Sequence, residues 1–347
     1  MRPIKYLFIR AVFETLCATR LTSLVRANSK SKGVILTMHR VLPGRPQAFA
    51  PHSILQITPE FLDYAIRRIR ALGIDIVSLD EAISRIENPN PTRKFVVLTF
   101  DDGYRDNLIH ALPVLRHHQA PFTLYVPTAL VDGVGEVWWQ ALEDIITAQK
   151  AIQVTYLGVT DYLACGSVRE KIDTYNEIYW RMRQMPESDR VALIHELAGQ
   201  YGFDLAAQCR DLIMNWTELR HFANDPLCTI GAHTVHHYEL AKLDPVQARN
   251  EVEQSVRIIE AQFGKAPQHL SYPIGGKVSA GPREYALAKE LGFRSAVTTL
   301  PGGVYHADKD NLHSLPRVSL NGSFQARRYV DIYATGTIFS TIGRIGS

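Results

Sequence analysis

Short apolar runs alternate with stretches of helical periodicity along most of the chain. Runs at 34–37 (VILT), 74–77, 95–100 (FVVLTF) and 122–126 predict strands. Further strands are expected at 228–230, 269–272, 295–299 and 315–320. Helices are predicted at 61–72, 108–117, 247–263 and 282–291. The strand runs are continuously apolar, as in strands buried on both faces, and helices separate them, which predicts a parallel sheet. Seven or eight such units in one α/β chain predict a (β/α) barrel.

The region 135–220 breaks this rhythm. It is mostly helical in pattern, contains Trp138-Trp139, and reads as an insertion over one barrel face. Residues 1–30 form a separate amphipathic unit, with Arg2, Lys5, Arg10, Arg20 and Arg26 as its charges. Its apolar runs are broken by Arg10 and Glu14. A secretory leader needs about 7–15 uninterrupted apolar residues, and a membrane-spanning helix about 20. Two readings stand: a helix lying on a membrane surface, or one packed on its own domain. The barrel is expected over 31–322, followed by a C-terminal helix and tail at 323–347.

Composition narrows the class. The 347 residues are 46% hydrophobic and 21% charged, with 38 basic against 35 acidic side chains. This is ordinary globular composition, and without a dense basic run it excludes nucleic acid as the expected partner. Cys17, Cys165, Cys209 and Cys228 are far apart, which argues against a disulfide framework or a thiolate zinc site. That usage fits a reducing compartment, and the expected location is cytoplasmic, at most peripheral to the inner membrane.

Two segments carry candidate chemistry. Asp101-Asp102-Gly103 directly follows the 95–100 strand, where barrel enzymes place reacting groups. The alternative for this segment is a simple turn or helix N-cap. His233-Thr234-Val235-His236-His237 follows the 228–230 run. One helical turn would bring His233 and His237 to a common face. Two imidazoles and a carboxylate would make a three-ligand site with an open position, while His236 should point elsewhere.

The pairing of Thr99-Phe100-Asp101-Asp102-Gly103 with His233-Thr-x-x-His237 resembles the polysaccharide deacetylase (NodB-homology) family, carbohydrate esterase family 4. The resemblance spans about 33–320 and implies a distorted (β/α) barrel. It implies a divalent ion, zinc or else cobalt or nickel, held by Asp102, His233 and His237, with Asp101 as general base. In Leu270-Ser271-Tyr272-Pro273-Ile274-Gly275 the family's arginine is replaced by Ser271. Arg317 is the candidate replacement, with a surface ion pair as the alternative. The Ile274 N–H is expected to stabilise the oxyanion. Leu312-His313 has the wrong spacing for the family's last motif. Instead, Thr37-Met38-His39-Arg40 resembles the segment that opens a circularly permuted subgroup, which makes His39 the candidate general acid. Trp138, Trp139 and Tyr104 are candidates to line a sugar cleft, with core packing the alternative for one tryptophan.

The implied activity is removal of N-acetyl groups from an amino-sugar oligomer or polysaccharide. Three other readings remain open at this point. They are a deacylase of a lipid-linked sugar at the cytoplasmic membrane face, an O-acetyl esterase, and a carbohydrate-binding barrel without catalysis.

Overall fold

In the strands β1 (Gly33–Met38), β2 (Asp75–Ile76), β3 (Phe95–Phe100) and β4 (Phe122–Val126), all but β2 are buried at every position. Four further strands complete the sheet: β5 (Cys228–Ala232), β6 (His269–Ser271), β7 (Ser295–Val297) and β8 (Val318–Ser319). This computed structural model describes residues 2–19, 21–90, 92–336 and 338–339.

All pairings in the main sheet are parallel, in the order β7-β6-β5-β4-β3-β1-β8, with β2 beside the start of β3. β1 and β3 pair in register from Gly33↔Phe95 to Met38↔Phe100. The sheet curls until one segment reaches both of its edges. Leu315 bridges Val297 of β7, and Val318 pairs with Leu36 of β1. The predicted distorted barrel is therefore present.

Side chains alternate across the sheet, and this alternation divides the core. Val34, Leu36, Val96, Leu98 and Phe100 belong to the large cluster shared with the surrounding helices. Ile35, Val97, Tyr125, Val297 and Leu315 form a second, smaller cluster. Continuing the second face along β1 and β3 leads to Thr37, Thr99 and Asp101, all buried. Gly231 serves this face by its smallness, because a Cβ there would lie 2.4 Å from the Tyr125 ring.

The insertion contains helices Trp138–Ala148, Val168–Met182, Glu187–Gln200, Leu205–Leu212 and Trp216–Ala223. Helix Val168–Met182 opens with a capping box, Ser167 with Glu170. A hairpin, Ala151–Tyr156 with Val159–Ala164, was not expected from the sequence. Its turn places Leu157 and Gly158 at positive φ, 51° and 77°, as a tight two-residue hairpin turn requires. Trp138, Ile178, Leu193 and Phe222 lie in the same cluster as the barrel strands, so the insertion shares the barrel's core.

The N-terminal helix Arg2–Ala18 packs on its own chain. Phe13 is buried and meets the rings of Phe324, Tyr329, Tyr333 and Phe339 at 5.1–6.0 Å. Glu14 pairs with Arg328 at 3.0 Å. Leu7 and Phe8 stay exposed, and among the described residues no helix is long and apolar enough to cross a membrane. Where a longer C-terminal helix was expected, the chain makes two short turns, Gly322–Phe324 and Arg327–Tyr329, and a one-turn α-helix, Val330–Tyr333, whose rings meet Phe13. Of the expected tail, 337 and 340–347 lie outside the described residues.

Candidate metal and catalytic site

The site is assembled at the C-terminal ends of the strands, as barrel geometry dictates. Asp101 and Asp102 leave β3. Asp102 and Gly103 both take φ 75°, which folds the chain back. His233 leaves β5. The expected helical turn over 233–237 does not form: Thr234 and His237 adopt φ 65° and 60° in a loop. Such left-handed conformations at non-glycine residues cost about 1–3 kcal/mol each and persist where the surroundings enforce them. Here Glu251 does so, accepting from the N–H groups of Val235 at 3.1 Å and His236 at 2.9 Å. It also holds His236 Nδ1 at 2.6 Å, which takes His236 away from the site as expected.

Asp102 Oδ1 lies 3.5 Å from His233 Nε2 and 3.3 Å from His237 Nε2. One ligand atom from each residue fits within 4.8 Å of the others. His233 Nδ1 donates to the Ser271 carbonyl at 2.7 Å, which fixes the ring and turns its Nε2 toward the site. Burial, opposed by the Asp102 charge, lowers the His237 imidazole to about 3 and leaves it neutral. Asp102 Oδ1 is buried and has no hydrogen-bond partner among the described residues. Asp102, His233 and His237 thus turn one potential ligand atom each toward a common point, an arrangement that suits a divalent cation. The residues present fit such an ion.

Asp101 is locked from behind. Arg317, fully buried, donates from Nη1 to Oδ1 at 2.8 Å and from Nη2 to Oδ2 at 2.7 Å. The same guanidinium bonds Ser271 Oγ at 2.9 Å, Thr99 Oγ1 at 3.2 Å and the Thr298 carbonyl at 2.9 Å. Burial alone would push the Asp101 carboxyl up. The Arg317 charge, helped by His233, outweighs it and holds the group well below the usual carboxylate range. Arg317 thus grips this carboxylate, and Ser271, where the resemblance expects an arginine, shares the same guanidinium.

His39, one residue past β1, shares the pocket with Asp101, Asp102, His233, His237 and Ile274. Ile274 takes φ 60°, and its carbonyl accepts from Thr299 Oγ1 at 2.6 Å, which fixes the turn. Trp138 and Trp139 also line this pocket. Tyr104 does not: it is fully buried, and its hydroxyl accepts from Trp139 Nε1 at 2.9 Å. His52, Tyr175 and Tyr179 line the pocket without having been expected there.

The family model for polysaccharide deacetylase matches residues 88–154 and 191–296, leaving out most of the hairpin and all of helix Val168–Met182. The chain belongs to the polysaccharide deacetylase family. A Bacillus subtilis (strain 168) relative, provisionally named as polysaccharide deacetylase YxkH, is 22% identical over 68% of this chain and 54% of its own length. The chain therefore spans about half the length of that curated relative. Among solved structures, the Streptococcus pyogenes deacetylase PplD is similar with a TM-score of 0.56 and 17% identity, covering 84% of this chain and 93% of its own. IcaB from Ammonifex degensii gives 0.52 and 17%, covering 86% and 96%. These likenesses establish the shared fold. In family terms, Asp101-Asp102 and His233-x-x-x-His237 fall inside the matched blocks, whereas His39 and Arg317 fall outside them.

Proposed function

We propose that this member of the polysaccharide deacetylase family is a metal-dependent hydrolase that releases acetate from N-acetylated amino-sugar units of an oligo- or polysaccharide. One observation carries the reading: a buried carboxylate and two buried imidazoles converge beside a second carboxylate clamped by an arginine. A zinc-type divalent ion held by Asp102, His233 and His237 would polarise the acetamide and acidify a water. Asp101, ionised and oriented by Arg317, takes a proton from the attacking water. The Ile274 N–H faces the developing oxyanion. His39 hands a proton to the leaving amine, which an amide requires because an amine anion leaves poorly. The Arg317 clamp also removes the main motive for a binding-only barrel, since the base has its orienting cation after all.

Acetate release from N-acetylglucosamine oligomers, measured with and without chelator, tests this proposal. Chelation should abolish release and added zinc should restore it. Undiminished turnover by metal-free protein would sink the metal-dependent reading.

A second substrate reading is favoured by Leu7 and Phe8, exposed at 64% and 55% on the N-terminal helix. Those side chains suit an interfacial contact, which would bring the chain to a lipid-linked amino sugar. Co-sedimentation with anionic vesicles should then weaken in Leu7→Ser/Phe8→Ser; equal binding by both proteins would remove this reading.

A further inference from the structure

Two walls rise around the proposed metal site. One is the short turn Pro51–Leu55, which contributes His52, Ile54 and Leu55 to the pocket. The other is helix Val168–Met182 of the insertion, which contributes Tyr175 and Tyr179. These walls touch. His52 Nε2 lies 2.6 Å from the Tyr175 hydroxyl, with the two rings nearly perpendicular at 83°.

The contact is braced from behind by Glu143, on helix Trp138–Ala148. Its Oε2 accepts from the backbone N–H of His52 and lies against His52 Nδ1, both at 3.0 Å. Burial would raise the Glu143 carboxyl, but its bonds to His52 outweigh that and lower it, so it is ionised and acceptor-only. His52 Nδ1 therefore donates to Glu143, and its Nε2 is the ring nitrogen that meets the Tyr175 hydroxyl. Tyr175, His52 and Glu143 thus form one continuous hydrogen-bonded chain.

An aromatic wall leads from this closure down to the floor. Tyr175 stacks on Tyr179 at 5.4 Å, and Tyr179 on Trp138 at 5.2 Å. Trp138 meets Trp139 edge-on at 5.9 Å, and Trp139 lies 4.9 Å from His237. The pocket's volume is about 300 Å³, at the lower end for small-molecule pockets. An enzyme that acts in the middle of a polymer needs a groove open at both ends. A groove whose walls join is blind where they join.

We infer that the His52–Tyr175 contact, braced by Glu143, ends the pocket and makes the site select the terminal sugar unit of a glycan over its interior units. The aromatic wall offers flat apolar surface to a sugar ring, and its end stops the chain from running on. This inference rests on the deacetylase reading above.

The test uses the full, zinc-loaded chain and a ladder of reducing-end-labelled N-acetylglucosamine oligomers, with products located by tandem mass spectrometry. One acetate per oligomer, from the same terminal unit at every length, is expected. Release from interior units would overturn the inference and leave the deacetylase reading intact. No release from any oligomer would overturn that reading, and the inference with it. Tyr175→Phe and His52→Ala supply a second readout, each checked for native circular dichroism. Losing the closing hydrogen bond should raise the ratio of interior to terminal release about tenfold. A folded variant that stays strictly terminal would remove His52 and Tyr175 as the closing pair.

Discussion

The floor and the wall of the pocket are built on opposite principles. The floor gathers charged and polar groups at the strand ends, with Asp101 and His233 held by buried hydrogen bonds. The wall gathers rings from the 51–55 turn and the insertion, and stacking holds them. The floor therefore suits rate and the wall suits choice of substrate. Substitutions can pull the two apart.

The largest loss is expected at the ligand set. Asp102→Ala or His237→Ala should lose both bound metal, read by elemental analysis, and acetate release; stoichiometric metal in both variants would remove the ligand assignment. Asp101→Asn should retain metal and lose about 10²–10⁴-fold in kcat, the usual worth of a positioned base. Near-normal turnover there would mean that another group takes the proton. His39→Ala should slow amide substrates by up to a similar factor but leave activated esters much less affected, because their leaving groups need no proton. Equal losses on both would end its assignment as the acid.

Smaller effects follow from the supporting residues. Arg317→Lys removes the two-pronged grip on Asp101 and should cost about 10–100-fold, typical of a supporting residue. Its pH signature has a definite sign. Arg317 holds the Asp101 carboxyl low against burial, so weakening the grip lets the pKa rise. The acid limb of the kcat/KM profile should move to higher pH, and an unmoved limb would show that Arg317 does not tune the base. The smallest change in kcat is expected at the wall. Trp138→Ala should raise KM for oligomers by roughly tenfold through lost ring contact, with kcat little altered. A variant that lost kcat alone would blur the floor–wall division.

The same division separates what could be read in the sequence from what could not. Asp101-Asp102 and the paired histidines follow strong strand patterns, and strand ends are where barrels put chemistry. Arg317 was legible through its place just before the last strand, where Ser271 left an arginine missing. The local shape that joins His233 to His237 was not legible. A four-residue spacing suggests a helical turn, but Glu251 and the left-handed Thr234 and His237 impose a loop. The wall was least legible. His52 and Tyr175 are 123 residues apart, and no local periodicity reveals which ring of a helix will meet a distant turn. Trp138 and Trp139 were singled out by size alone, whereas Tyr104, adjacent to the reactive pair, proved to be a buried support for Trp139. The hairpin at 151–164 was overlooked within a region of helical pattern.

One further consequence follows from Arg317 lying in the stretch that stitches the two edges of the sheet together. Asp101 is synthesised 216 residues before its partner. Until that final stitch docks, the carboxylate lacks both its counter-cation and the two-pronged grip that orients it. Barrel closure and arming of the base are therefore one event. A ribosome-bound or refolding chain should gain its hydrolytic power abruptly, with the docking of its C-terminal region, and not in proportion to the barrel already formed.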